Sequence, residues 1–251
     1  MALLPSLVAF ASARFPRLSS RVLASSGYTL DLDSFGPDAF GVWELAAAAR
    51  QDAAWRPLVS KAIAGSPRED VAALWASLAP VVGADTTLLE VGCGGGYNSE
   101  AILHRFPGVV YSGLDLAASM IDLAEQHYPD RSFVVGTAYA LPFADASQDV
   151  VLDGVALIHM PEWKRALAEY ARVRRGHVVL HGLTLAESHP TTMFAKYAWG
   201  QPSLELVFNR DEIRGECEVL GLQLGDIRTC LDYDLDPYIG IPSVSETWTL
   251  S

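Results

Sequence analysis

Short apolar runs and amphipathic stretches take turns along most of this chain. Leu88–Val91, Val109–Asp115, Phe133–Val135, Asp149–Asp153 and His177–His181 predict strands that are brief, rich in Val and Leu, and apolar on both faces. Between them, Asn98–Phe106, Ala118–Tyr128 and Glu162–Val173 carry helical spacing; in the last, Trp163, Leu167 and Tyr170 share one side. Upstream, the Ala-rich stretch Val42–Arg50 predicts a helix, and Pro67 opens another on which Val71, Leu74, Trp75 and Leu78 recur. Strand–helix alternation of this kind predicts a parallel sheet covered on both faces. The end changes character: a helix over Glu212–Leu220 is followed by two strands, Gln223–Cys230 and Val244–Leu250, joined by the turn-rich Asp232–Pro242. The expected fold is α/β, a doubly wound sheet of about seven strands, mostly parallel with a C-terminal antiparallel pair and helices on both faces.

The 251 residues allow one full α/β domain with an appendage. The expected division is an N-terminal arm or helical lid over 1–60 and the main domain over 61–251, with a substrate-capping insertion at about 182–208. Half the residues are hydrophobic, yet no run reaches the roughly 18 apolar residues of a membrane span. A formal charge of −12 repels phosphate backbones, so nucleic acid is not an expected partner. Arg172, Arg174 and Arg175 form the one dense basic cluster, at a helix end where cations complement the dipole. Three cysteines, Cys93, Cys217 and Cys230, form no CxxC pair, so no metal site is expected; the odd count fits a reducing cytoplasm. The first 26 residues hold Arg14, Arg17, Arg21, six serines and no acid, after an apolar opening from Leu3 to Phe10. An arm packed on the domain, an organelle transit peptide and a secretory signal all remain open, although no basic residue precedes the apolar stretch as a signal requires.

The chemistry concentrates at Leu88-Leu89-Glu90-Val91-Gly92-Cys93-Gly94-Gly95-Gly96-Tyr97-Asn98, a strand running into a glycine turn that opens a helix. Missing β-carbons let the backbone turn sharply and approach a ligand, while the helix start offers free N–H groups. The G-x-G-x-x-G spacing of a dinucleotide site is not kept: the third glycine, Gly96, comes one residue early and Tyr97 fills the slot. Glu90 precedes the first glycine. Asp115 ends the next strand, where a carboxylate can accept hydrogen bonds from ribose hydroxyls.

With those residues in place, the segment from about Thr87 to Leu180 resembles the class I S-adenosylmethionine-dependent methyltransferases. Leu88–Gly96 is similar to their E/D-x-G-x-G-x-G first motif, and Gly113-Leu114-Asp115 to their ribose-binding second motif. Gly136–Phe143 resembles the loop that reads adenine, Asp149-Val150-Val151-Leu152 the fourth strand, and Leu157-Ile158-His159-Met160 the segment after it. The resemblance implies a Rossmann-like sheet with S-adenosyl-L-methionine as cofactor. It implies Glu90, Gly92, Cys93, Gly94, Gly96, Asp115, Leu116, Thr137, Ala138 and Asp153 as the residues around that cofactor, with no metal. It further implies methyl transfer to a small-molecule acceptor, at oxygen or nitrogen. Two positions depart from the pattern: Thr137 stands where many relatives carry Asp, and Arg174-Arg175-Gly176-His177 where they carry a Pro-Gly-Gly turn. A non-catalytic cofactor-binding regulatory protein is the first alternative. A nicotinamide oxidoreductase is the second, disfavoured by the glycine spacing and by the lack of a Tyr-x-x-x-Lys pair.

If a hydroxyl or ammonium is methylated, a general base is needed. His159 just past the fourth strand, His181 at the end of the fifth and Asp153 at the end of the fourth are the catalytic candidates. Each also has a structural role available, as a packed ring, a turn or a helix cap. Acceptor specificity is expected from the arm, with Tyr28, Phe40 and Trp43, and from the insertion, with His189, Phe194, Lys196, Tyr197, Trp199 and Gln201. Aromatics so dense in a connection form either a pocket lid or a cover for the sheet edge. Without a basic stripe between them, a small apolar or aromatic acceptor is favoured. The oligomeric state is left open.

Overall fold

A computed structural model describes residues 14, 27–33, 35, 47–198 and 201–251. The chain forms a three-residue strand β1 (Gly27–Thr29), then helices α1 (Ala47–Ile63) and α2 (Glu69–Leu78). Strands and helices then alternate: β2 (Thr87–Val91), α3 (Tyr97–Arg105), β3 (Val110–Asp115), α4 (Ala118–His127), β4 (Ser132–Val135), β5 (Gln148–Gly154), a 3₁₀ turn at Leu157–His159, α5 (Trp163–Val173) and β6 (Arg174–Ala186). There follow β7 (Thr192–Ala198), β8 (Gln201–Asn209), α6 (Arg210–Val219), β9 (Leu224–Thr229), a short α7 (Asp236–Ile239) and β10 (Val244–Leu250).

Seven of these strands make the central sheet, in the order β4-β3-β2-β5-β6-β10-β9. The first five are parallel, and β10 runs antiparallel to both β6 and β9. This is the doubly wound sheet with a reversed C-terminal pair that the apolar pattern predicts. Burial on both faces explains the unbroken apolar runs. Leu89, Val91, Val151, Val178 and Leu180 point to the side covered by α5 and α6, while Leu88, Val150, Leu152 and Val179 point to the side covered by α2, α3 and α4. On α5 the buried residues Trp163, Ala166, Leu167, Tyr170 and Val173 fall at helical spacing and form the stripe that meets the sheet. Among the described residues no helix is long and apolar enough to cross a membrane.

Two regions differ from expectation. The helix expected at Val42–Arg50 is observed as Ala47–Ile63, residues 42–46 lying outside the described ones. It continues through Pro57, whose missing N–H weakens a helix interior. Burial of Val59 and Ala62 in one cluster with Val71, Tyr97 and Ala101 offsets that cost. The helix therefore crosses the expected domain limit at residue 60.

The segment 182–208, expected as a capping connection, is regular structure. The end of β6 continues into the β7–β8 hairpin, β1 adds to β7, and β8 joins β6 through Leu185↔Phe208 and Ala186↔Asn209. A bulge in β6 makes this extension possible. Glu246 and Trp248 of β10 face Leu183 and Leu180, so Thr247 alone opposes His181 and Gly182. Gly182 takes a φ of +70°, a left-handed conformation that side chains resist, and the strand bends there. In the extension, Tyr28 faces Lys196, Lys196 faces Ser203 and Phe194 faces Glu205. Facing pairs and residues two apart share one side of a sheet, so these five residues lie on one face.

Candidate functional site

At the end of β2 the chain must leave the sheet within two residues. Gly92 does so with a φ of +75°, and a β-carbon there would lie 2.2 Å from that of Ala156. The Gly92 and Cys93 amides both donate to the Leu114 carbonyl, at 2.8 and 3.0 Å, which fastens the turn to the end of β3. Gly94 N–H donates to Asp115 Oδ2 at 2.8 Å, and Ala117 N–H to Oδ1 at 2.9 Å. Burial raises the Asp115 carboxyl above its ordinary pKa, with the Ala117, Gly94 and Leu116 amides opposing the shift. With about four lone-pair sites on its two oxygens, the carboxylate keeps room for a ligand beside these amides.

These residues open onto a cavity of about 370 Å³. Its walls include Gly92, Gly94, Asp115, Leu116 and Met120 on one side, and Gly136, Thr137, Ala138 and Tyr139 beyond β4. Gly154, Val155, Ala156, Ile158, His159 and Met160 come from the end of β5, and Trp55 and Tyr97 from α1 and α3. The extension adds Lys196, Ser203 and Glu205. The cavity thus lies along the carboxyl edge of the parallel strands, where open α/β sheets bind ligands. Val155 has a φ of +67°, rare for a β-branched residue and the kind of strain that gathers at functional sites.

Several expected site residues are placed elsewhere. Glu90 is fully buried behind the turn; Asn98 Nδ2 donates to its Oε1 at 2.7 Å and the Tyr111 hydroxyl to its Oε2. Burial pushes its carboxyl up to about 7, against the two hydrogen bonds. Glu90 braces the turn and does not line the cavity. Cys93 is buried among Leu88, Tyr111 and Phe133, and Gly96 serves as the N-cap of α3. Asp153, 1% exposed, accepts from Ala156 N (2.9 Å), Leu157 N (3.1 Å) and the Tyr170 hydroxyl (2.8 Å), and burial raises it to about 6. Its role is to fix the 3₁₀ turn. His181 is turned by the β6 bulge toward Thr247, with Nδ1 2.8 Å from Oγ1, and burial lowers it to about 4. Neither Asp153 nor His181 reaches the cavity, because strand-end position predicts the edge but not the direction of the side chain.

His159 does line it. Its Nδ1 lies 2.8 Å from the Leu204 carbonyl, which can only accept, so Nδ1 carries the proton; burial lowers the ring's pKa. Thr137 and Ala138 also line the cavity, with the Thr137 hydroxyl accepting the Tyr139 amide at 3.2 Å. Of the aromatic-rich segments, Tyr28 and Phe194 are buried in the extension and His189 sits in the turn after β6. Tyr197 is buried on the opposite face from Lys196. Phe40, Trp43 and Trp199, and the side chain of Gln201, lie outside the described residues. Sequence reasoning missed Trp55, which stacks on Tyr97 with ring centroids 4.7 Å apart, and the pair Ser203 and Glu205. The last two had a signal, polar residues two apart in Ser203-Leu204-Glu205-Leu206-Val207-Phe208, the period of a strand.

The wall fits a nucleoside. Leu116 is 60% exposed beside a carboxylate, an apolar surface that a base would cover while Asp115 holds a sugar. Residues 89–180 match the family model described as a methyltransferase domain. A demethylmenaquinone methyltransferase of Renibacterium salmoninarum is 33% identical over 149 residues, 57% of this chain and 54% of that protein. A phthiotriol/phenolphthiotriol dimycocerosates methyltransferase of Mycobacterium tuberculosis is 40% identical over 90 residues, 35% of this chain and 33% of that protein. This chain thus spans about half the length, or less, of these curated relatives. Among solved structures, the Burkholderia thailandensis 1,6-didemethyltoxoflavin-N1-methyltransferase, with bound 1,6-didemethyltoxoflavin and S-adenosylhomocysteine, shares the fold with a TM-score of 0.55 at 20% identity. The likeness covers 82% of this chain and 85% of that one.

Proposed function

We propose that this chain, which belongs through residues 89–180 to the class I S-adenosylmethionine-dependent methyltransferases, moves a methyl group from that cofactor to an oxygen or nitrogen of a small-molecule acceptor. The observation that carries this reading is one cavity with two kinds of wall. The ends of β2 and β3 and the loop after β4 present the nucleoside-fitting surface, and the extension presents charged side chains to the same space. When bound, S-adenosylmethionine supplies a methyl group activated on a sulfonium. The protein's own task is to bind, align and exclude water. Asp115 accepts from sugar hydroxyls, Leu116 and Met120 give the base an apolar bed, and the Ala138 backbone serves its edge. Stacked Trp55 and Tyr97 shield the glycine turn from water.

Acceptor choice belongs to the arm within 1–60, through Trp55, and to the segment 182–208, through Lys196, Ser203 and Glu205. Isothermal titration with S-adenosylhomocysteine and with NADH tests the reading. S-adenosylhomocysteine is expected to bind and NADH not to; absence of the first heat sinks the proposal.

A further inference from the structure

The wall contributed by the hairpin holds an ion pair, its carboxylate buried and its lysine partly open, that the methyl donor's site does not use. Lys196 Nζ lies 3.2 Å from Glu205 Oε1 and 3.4 Å from the Tyr233 hydroxyl, which in turn lies 3.4 Å from Glu205 Oε2. The rings of Tyr28 and Tyr233 flank the ammonium at 5.9 and 5.1 Å. Phe194 and Val207, on the same side of the hairpin, are fully buried. A buried pair on an apolar face is a weak source of stability, since apolar residues of like volume often replace one without loss. Its presence there calls for another reason.

An ammonium has three N–H donors, and among the described residues Glu205 and Tyr233 take two of them. Each Glu205 oxygen already accepts one bond. The lysine side chain is also the more open of the two, 23% exposed against 6%. Burial alone would lower the lysine pKa; Glu205 and Tyr28 outweigh it and hold the group above its ordinary value, so it is a cation. Directly across the hairpin stands Ser203, whose hydroxyl is 3.5 Å from His159 Nδ1.

We propose that Lys196, held ready by Glu205 and Tyr233, is an acceptor-binding group that receives an anionic oxygen on a small apolar or aromatic molecule. That this molecule is a methyl acceptor rests on the methyltransferase reading; the oxyanion subsite itself does not. A carboxylate and an ionised phenol share the chemistry, and they are separable.

The test measures binding of 2-naphthoate, 2-naphthol and neutral 2-naphthamide to the protein saturated with S-adenosylhomocysteine. One of the two acids is expected to bind at least about tenfold tighter than the amide, as a charge-assisted hydrogen bond requires. Naphthoate in the lead marks a carboxylate acceptor, naphthol a phenolic one. Lys196→Met should erase the preference while leaving the amide's affinity in place, and Lys196→Arg should keep most of it. Equal binding of all three, no binding of any, or a preference that survives Lys196→Met overturns the proposal. If Lys196→Met does not fold, the wild-type preference and the Lys196→Arg variant decide. Loss of S-adenosylhomocysteine binding by the wild type would sink the methyltransferase reading separately, and the same three probes without it would still report on the subsite.

Discussion

The two walls of the cavity are made of different material. At the glycine turn, the groups that face a ligand are bare glycine surfaces and one carboxylate, locked by amide bonds from the turn to β3. At the hairpin, they are long side chains, Lys196 and Glu205, standing on strands that pair with the central sheet through the end of β6. Backbone walls tolerate almost no change of residue, because φ and close approach dictate the choice. Side-chain walls can change chemistry without changing the fold. One cavity can therefore keep a fixed cofactor on one side and admit a variable partner on the other.

The sharpest way to break this contrast is Gly92→Ala. Alanine must adopt a φ of +75° and place its β-carbon 2.2 Å from that of Ala156. Left-handed strain and overpacking together should cost about 2–5 kcal/mol of stability and remove S-adenosylhomocysteine binding. Pairing it with Ala156→Gly relieves the clash but not the φ, so thermal unfolding should recover only in part. Full recovery would mean that space alone governs the turn.

Next in size is a proton effect at the brace behind the turn. Burial raises Glu90 from an ordinary 4.5 to about 7, so the folded state holds its proton more tightly than the unfolded chain. Stability is then complete below about pH 4.5 and falls as pH climbs through about 7. Asp153, raised to about 6, acts in the same sense. In Glu90→Gln the first contribution is gone, and the gap between variant and wild type should move by on the order of 3 kcal/mol across that window. Denaturant unfolding at a series of pH values reads this directly; parallel curves for the two proteins would contradict it.

The same contrast explains what was legible in the chain. The strands from β2 to β5 could be placed to within a residue or two, because parallel strands buried on both faces leave unbroken apolar runs. The glycine turn and Asp115 were legible because their residue types are forced. The hairpin was not. In Met193-Phe194-Ala195-Lys196-Tyr197 residues of both faces are buried, so the chain loses the alternation that marks a strand. Lys196 stands out among its aromatic neighbours, but its partner depends on a register that the sequence does not carry. Asp153 stands near the end of β5 as expected, while His181, level with that end, lies inside a β6 that runs on to Ala186; a local turn and a bulge aim the two side chains away from the cavity. Nothing in a valine announces the left-handed φ of Val155.

Asp115→Ala sharpens the contrast from the ligand's side. The Gly94 and Ala117 amides lose their acceptor, and a ribose would lose its own. S-adenosylhomocysteine should bind about 1–3 kcal/mol more weakly by calorimetry. The preference for an acid over the neutral amide assigned to Lys196 should not move, since that cation keeps Glu205 and Tyr233. If both change together, the two walls are not separable.

The smallest effect is expected where the two walls meet. His159 belongs to the 3₁₀ turn after β5, yet its Nδ1–H donates to the Leu204 carbonyl of β8 at 2.8 Å. That bond joins the rigid sheet to the extension. His159→Phe removes the donor and leaves a carbonyl unsatisfied, a loss of about 1 kcal/mol. His159→Asn restores a donor at shorter reach and should recover part of it. Because the bond holds β8 and not β2, amide exchange in β7 and β8 should quicken in the Phe variant while β2 to β5 keep their protection. S-adenosylhomocysteine affinity should stay as it is in both. Faster exchange spread evenly over β2 to β5 would show the hairpin and the sheet opening as one unit, and a change in hairpin chemistry would then carry a cost at the glycine turn as well.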